Sequence, residues 1–352
     1  MGLFGNDRDL NQAPTHVELA VSANDWQRPH DGFDIRLDAF LVHHLAWRSR
    51  TSIQDLIKTG HVLVDPSRPD RPRGGAEPFE ERRPGRKLAH GSRVIVVIPE
   101  ELRRPLAGPV TDDLDVLYDD GRVVGVDKPA GVVVHPSGRY FSDTLIQRVH
   151  ARYGAGFELE KLGAPRLCHR LDRETSGIVL VALDPAAHAD VQQQFERRQI
   201  EKEYLAIVRG NPERDAGVVD LPIGTARVST IALKMTVAAD GQDCRTDWRV
   251  VERFADCALV ACHPLTGRQH QIRVHMQAIG HAIVGDKLYG ADESLFERDL
   301  DGLLTAEDRA ELGMERHALH NHRLVFRTPE TGERVEIVSP MPADMRAFLS
   351  GR

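Results

Sequence analysis

Apolar residues first fall into a sustained rhythm after Phe33. Leu37, Phe40, Leu41 and Leu45 recur at helical spacing, and Ile53, Leu56 and Ile57 repeat it after Ser49 or Thr51, either of which can cap a second helix. Gly60 is placed to end that helix. HVLVD (61–65) and SRVIVVIP (92–99) read as strands around a long loop rich in proline, glycine and arginine, PSRPDRPRGGAEPFEERRPGR. The first 32 residues are polar without a sustained period, which predicts a loose tail over 1–32 and a small domain over 33–99. ELRRPLAGPVTDD, polar and proline-bearing, predicts a linker over 100–111.

Beyond position 112 the pattern turns strand-like. LDVLYDD, RVVGVDKP, GVVVHP, GIVLVAL, EYLAIVRG, WRVVERF, CALVACHP and HRLVFRT are short apolar or alternating runs, with helical stretches around 142–153 and 185–198 and within 269–279. Several of these strands follow one another without a helix between them. Parallel neighbours need a crossover and antiparallel ones only a turn, so the expected class is α+β, with a mixed, largely antiparallel sheet over 112–340 and a short tail over 341–352.

Composition narrows the picture. The chain has 352 residues, 41% hydrophobic and 28% charged, enough for one large core and a smaller module. No apolar run approaches the ~18 residues of a membrane helix, and MGLFGNDRDLNQ lacks the basic start and apolar core of a secretory signal, so a cytoplasmic protein is expected. Cys168, Cys244, Cys257 and Cys262 are few and irregularly spaced, which fits reduced thiols. Cys257, Cys262 and His263 have metal-like spacing but no second ligand pair nearby. His317, His320 and His322 in HALHNH have no evident fourth ligand, so packing or polar contacts are expected there.

The net charge of -7 at first argues against a nucleic-acid ligand, but the charge is unevenly spread. Residues 292–315 hold nine acidic and two basic residues, and so carry all of it. Residues 34–99 hold twelve Lys or Arg against eight Asp or Glu. A basic module, a neutral body and one acidic insertion over 292–315 are together compatible with RNA.

The chemistry concentrates in four stretches. In CHRLDRETSGIVLVA (168–182), Asp172 lies between Arg170 and Arg173 just before an apolar strand. One reading is a set of ion pairs at a strand start. The other is a carboxylate kept ionised in a cleft, because a nearby cation lowers a carboxyl pKa while burial raises it. VDKPAGVVVHPSG supplies Lys128, Pro129 and Gly131, EKEYLAIVRG supplies Lys202 and Tyr204, and HPLTGRQHQIRVHMQAIGHAIVGDKLYG supplies Arg268, His270, Gln271, Arg273 and His275. Taken singly, these read as a turn, a half-exposed strand tyrosine and a basic helix start.

Taken in order over 112–340, the four stretches resemble the motifs of the Rlu-type RNA pseudouridine synthases, and RHALHNHRLVFRTPETGE is similar to that family's closing segment. Gln269 stands where Thr is usual and Ala282 where Pro is usual. RLDAFLVHHLAWRSRTSIQDLIKTGHVLVD with KLAHGSRVIVVIP is similar to the αL-type RNA-binding module named after ribosomal protein S-four, with Asp65 for the usual Asn and a longer loop over 66–86. The resemblance implies that Asp172 is the nucleophile and Arg273 the cation paired with it. It implies that Tyr204 stacks on the target uracil and is a candidate acceptor for the proton on its carbon 5. RNA contacts are then expected from Arg170, His169, Lys128, Arg48, Arg50, Lys58, Arg268 and His270.

The implied activity is isomerisation of specific uridines in structured RNA, large-subunit ribosomal RNA first and transfer RNA as the alternative, by a monomer without cofactor or metal. Two rivals remain. A carboxylate hydrolase would need a second catalytic acid or an aspartyl-phosphatase motif, which DLDVL (113–117) does not supply. A catalytically silent RNA-binding protein would have no use for Asp172, Tyr204 and Arg273 together.

Overall fold

The computed structural model describes residues 16–21, 35–44, 50–66, 78–88, 92–98, 112–135, 143–153, 165–229, 231, 233–290 and 292–352. The chain divides into two compact units, one from Met1–Val110 with Pro136–Asp143, the other from Thr111–His135 with Thr144–Arg352. No described helix is long and apolar enough to cross a membrane.

The first unit runs β1 (His16–Ala20), β2 (Ile35–Arg36), α1 (Leu37–His44), α2 (Arg50–Lys58), β3 (Val62–Asp65), β4 (Phe79–Glu80), β5 (Lys87–Leu88) and β6 (Arg93–Val97). Leu37, Phe40 and Leu41 of α1 and Ile53, Leu56 and Ile57 of α2 are buried with Val62, Val64, Val94 and Val96. The helical spacing therefore marks one apolar face per helix. Gly60, at φ +83°, ends α2: its N–H donates to Ile57 O and that of His61 to Leu56 O, the paired bonds that close a helix through a left-handed residue.

The expected loose tail is corrected at residues 16–20. They form an antiparallel strand against Arg93–Val97, with Val17 and Leu19 facing the core. Two alternating apolar residues give too short a period to stand out among polar neighbours. The sheet order is β1-β6-β3-β4, and β2 pairs separately with β5. The linker expected over 100–111 lies outside the described residues.

The second unit runs β7 (Asp115–Asp119), β8 (Val123–Lys128), α3 (Leu145–Tyr153), β9 (Arg166–Leu167), β10 (Ser176–Ala182), α4 (Pro185–Glu196), β11 (Glu201–Arg209) and β12 (Ala216–Asp220). It continues with β13 (Ile223–Thr225), β14 (Met235–Val237), β15 (Arg245–Arg253), β16 (Cys257–Pro264), α5 (Gln271–Ala278), α6 (Ser294–Asp301), α7 (Ala306–Leu312), β17 (Leu319–Arg327), β18 (Arg334–Val338) and α8 (Ala343–Ser350). The main sheet follows β12-β15-β16-β11-β17-β10-β8-β7, with β18 on β17 and β9 on β10. It is the mixed, mostly antiparallel sheet of an α+β fold, because among the described strands only β10 and β17 pair in parallel. That contact is close enough to require Gly177, where an added Cβ would lie 2.3 Å from Asn321 O.

One core patch joins β11 and β16 to α5 and α8 through Ile207, Val260, Ile272, Met276, Met345 and Leu349. Another joins β8, β10 and β17 to α4 through Val123, Ile178, Leu180, Val191, Leu324 and Phe326. The expected tail over 341–352 is thus corrected to a helix that closes the core with Met345 and Leu349. The expected strand GVVVHP is corrected to a turn, in which Gly131 takes φ +88° and donates to Arg173 O. The acidic 292–315 segment folds as α6 and α7, the latter started by a capping box between Thr305 and Asp308.

Candidate active site

Asp172 sits in the loop that leads into β10, and that loop is tied down on both flanks. On one side Lys128, fully buried at the end of β8, donates to Pro129 O (2.8 Å), Val132 O (2.9 Å) and Arg173 O (3.1 Å). All three ammonium protons are used on the turn after β8 and the loop after Asp172, and burial pushes this amine down to about 7 against the opposing pull of Asp172. On the other side Glu174 accepts from Lys287 Nζ at 2.8 Å and from His317 N at 3.2 Å, while Thr175 Oγ1 meets His317 Nε2 at 2.8 Å.

Arg273 projects from the first turn of α5 and is 7% exposed. Its Nε and Nη2 donate to Asp286 Oδ2 (2.7 Å) and Oδ1 (2.9 Å), and its Nη1 donates to Asp172 Oδ2 at 3.0 Å. The Tyr289 ring lies under the guanidinium, 4.8 Å from ring centre to Cζ. Asp286 is itself fixed by the N–H groups of Leu288 and Tyr289 (3.0 and 2.9 Å), in a turn opened by Gly285 at φ +75°. One guanidinium therefore bridges two carboxylates. Asp172 Oδ1 accepts no hydrogen bond from a described residue, and its side chain is 24% exposed.

Burial pushes the Asp172 carboxyl up, but His270, Arg273 and His317, together with the Arg273 hydrogen bond, outweigh it and bring it down to about 2. Burial and the Arg273 charge push both imidazoles down to about 4, so of these three groups Arg273 is the cation that remains at neutral pH. Its charge is divided between two carboxylates, and the cluster keeps a net negative charge at Asp172. The Asp286 carboxyl is held well below the usual range, because Arg273 outweighs burial.

Tyr204 lies on β11 at a bulge against β17 and is half-buried. Burial, then the charge of Asp172, pushes its hydroxyl above the usual range, so the resting ring is a neutral phenol. Asp172, Tyr204 and Arg273 are thus brought into one electrostatic cluster. Arg170 is exposed, with no hydrogen bond or ion pair to a described residue, and its charge bears on His270. Arg268 is exposed with Nε donating to Asp243 O at 3.3 Å, and Lys58 is exposed in the last turn of α2. Arg48 and the side chain of Arg50 lie outside the described residues.

Two expected RNA contacts, Lys128 and His169, are corrected, and a third, His270, lies in the cleft itself. Lys128 is buried with every proton used. His169 turns inward, accepting from Leu180 N at 3.0 Å with its ring 5.0 Å from Phe195, and burial pushes it down to about 3. His270 faces the nucleophile, its Nε2 3.9 Å from Asp172 Oδ2. The adjacent Arg173 pairs with Glu174 (3.0 Å) and with Asp299 of α6 (3.5 Å), not with Asp172.

Asp286 and Tyr289 were not singled out from the sequence, and His317 was expected to make polar contacts or pack, not to face the site. The first two lie in GDKLYG, where a carboxylate just after a turn glycine with tyrosine three residues on was the available signal. His317, His320 and His322 make polar contacts, to Thr175, to Ser176 and Ser339, and to Ser339. Among the described residues no group of His, Cys, Asp or Glu is arranged to hold a metal, and the four cysteines are free and buried.

Residues 122–278, which contain Asp172, Tyr204 and Arg273, match a family model described as RNA pseudouridylate synthase. The chain is 35% identical to the RNA pseudouridine synthase YlyB of Bacillus subtilis, over 94% of this chain and 97% of that one. It is 36% identical to the ribosomal large subunit pseudouridine synthase D of Xanthomonas campestris, over 90% of this chain and 88% of that one. Among solved structures, human RNA pseudouridylate synthase domain containing 1 is similar at a TM-score of 0.53 and 29% identity, over 70% of this chain and 90% of that one.

Proposed function

Because the chain belongs to the RNA pseudouridine synthase family, we propose that it isomerises particular uridines of large-subunit ribosomal RNA, with Asp172 as nucleophile and no cofactor. The ribosomal substrate is supported by relatives from Xanthomonas, Zymomonas and Nitrosomonas, 36, 33 and 37% identical, that are each named ribosomal large subunit pseudouridine synthase D.

The observation that carries the role of Asp172 is its single bond to an arginine already held from the other side by Asp286. Conversion of uridine to pseudouridine breaks the C1′–N1 bond, forms C1′–C5, moves one proton off carbon 5 and one onto N1, and transfers no electrons overall. It needs an ionised carboxylate with an open oxygen, a flat ring to hold the freed base and walls that keep water from a reactive sugar. Asp172 Oδ1 supplies the first and Tyr204 the second. With its phenol protonated while Asp172 is charged, Tyr204 serves first as a platform.

Arg170, exposed beside the site, is the side chain we assign to the space left by a uridine turned out of its helix or to a neighbouring phosphate. Arg268 and Lys58 are assigned to phosphates. The first unit, with two short helices followed by a sheet, fits the αL-type RNA-binding module named above.

The test is a map of pseudouridines in ribosomal and transfer RNA from a strain lacking the gene, complemented with wild type or Asp172→Ala. At least one large-subunit position should vanish on deletion and return with wild type alone. Loss confined to transfer RNA would replace the ribosomal substrate.

A further inference from the structure

His270 is the one residue at the head of α5 with a strained backbone and no capping bond to account for it. It holds φ 57° and ψ 17°, the left-handed region that favours glycine or asparagine, and its side chain makes no cap hydrogen bond. Instead Gln271 Oε1 takes the free Arg268 N–H at 3.1 Å. The ring of His270 is turned toward the nucleophile, with Nε2 3.9 Å from Asp172 Oδ2 and Nδ1 2.8 Å from Tyr289 Oη.

The proton on that ring can be placed. Tyr289 is fully buried, and its hydroxyl oxygen already accepts from Met235 N at 2.9 Å. A buried hydroxyl proton needs an acceptor, and among the described residues His270 Nδ1 is the one within hydrogen-bond distance. Tyr289 therefore donates to Nδ1. A neutral imidazole that accepts at Nδ1 carries its proton on Nε2, the nitrogen nearest Asp172. Burial and Arg273 keep the ring neutral, against the opposing pull of Asp172 and Asp286.

Arg273 already spends one N–H from each of its three nitrogens on Asp286 and Asp172, and Lys128 turns its protons to carbonyls. A sugar carbon in reach of Asp172 lies about 3 Å from it, and the uracil oxygen beside the glycosidic bond is then within reach of Nε2. We propose that His270 is a further catalytic residue, its Nε2–H donating a hydrogen bond to the uracil carbonyl oxygen next to the glycosidic nitrogen as the C1′–N1 bond breaks. The bond's electron pair leaves with the base, the charge spreads onto that oxygen, and His270 stabilises it without giving up its proton. Tyr289 is a positioning residue that fixes the tautomer. The inference rests on the uridine-isomerising reading of the site.

Two measurements test it. His270→Asn tolerates the left-handed backbone but is too short to reach, whereas His270→Gln restores an N–H near the Nε2 position. The single-turnover rate should fall on the order of 100-fold in the Asn variant and recover at least tenfold in the Gln variant, with RNA affinity unchanged in both. Rates for both within threefold of wild type, or a loss explained by weakened RNA binding, would overturn the proposal. Nitrogen-15 NMR of the RNA-free protein should show His270 protonated on Nε2, and a mixture of tautomers in Tyr289→Phe. A proton on Nδ1 in the wild type would also overturn it. Inactivity of the wild type on every RNA would overturn the isomerase reading instead, and the imidazole spectrum, which needs no RNA, would still decide the tautomer.

Discussion

The loop at 170–175 and the turn at 285–290 each offer a carboxylate to Arg273, and they treat it differently. Asp286 uses both oxygens on the guanidinium, adds two backbone N–H donors and is 1% exposed. Asp172 accepts one bond on one oxygen, with the other left open. A fully satisfied buried carboxylate is a fixture, whereas one held ionised with an open lone pair is a reagent. The same arginine serves both because its planar fork presents N–H groups on two edges, a geometry lysine lacks.

The largest expected effect breaks the reagent side. Asp172→Asn keeps the shape and removes the charge, so turnover should drop on the order of 10,000-fold or more while the fold and RNA affinity survive. Next is the fixture side. Asp286→Asn leaves Arg273 short of a buried counter-charge, and urea unfolding should show a loss of about 3 kcal/mol, with turnover reduced as well. If Asp286→Asn instead proved neutral in stability, the contrast between the two carboxylates would be gone.

Acid titration sharpens the comparison. The folded Asp172 pKa of about 2 lies below the ordinary carboxyl value near 3.8, so its contribution is present above about pH 4 and lost as pH falls toward 2. That contribution is about 2 kcal/mol, and Asp172→Asn should flatten this part of the stability–pH curve. Tyr204→Phe keeps the ring and removes the hydroxyl. Retained turnover would leave only the platform role, and a large loss would give the hydroxyl a part in moving the carbon 5 proton. The smallest effect belongs to Asp299→Ala, which removes a rim contact to Arg173 at 3.5 Å and should change stability by no more than about 0.5 kcal/mol.

The legible part of the fold was the part with strong period. α1 and α2 are marked by apolar residues at helical spacing, and β8, β10 and β16 by short, nearly continuous apolar runs bounded by turn residues. β1 and α8 were missed because each contributes only two buried residues, Val17 and Leu19 or Met345 and Leu349, at the ends of polar stretches. GVVVHP has strand composition, yet the bonds from Lys128 and the left-handed Gly131 bend it into a turn.

Within the site, the sequence pointed to Asp172, Tyr204 and Arg273. It gave no sign that the neighbouring Arg173 turns to Glu174 and Asp299 while an arginine 101 positions away takes the carboxylate. Nor did it reveal that Lys128 and His169 point inward, because composition records polarity and not direction.

The most direct test of the central claim is tritium release from RNA labelled at uracil carbon 5, prepared from cells lacking the gene, with purified wild type and Asp172→Asn side by side. Release by the wild type and none above background by the variant is the predicted result. Equal release by both, or none by a wild type that binds the RNA tightly, would contradict the assignment of Asp172 as the nucleophile of a uridine isomerase.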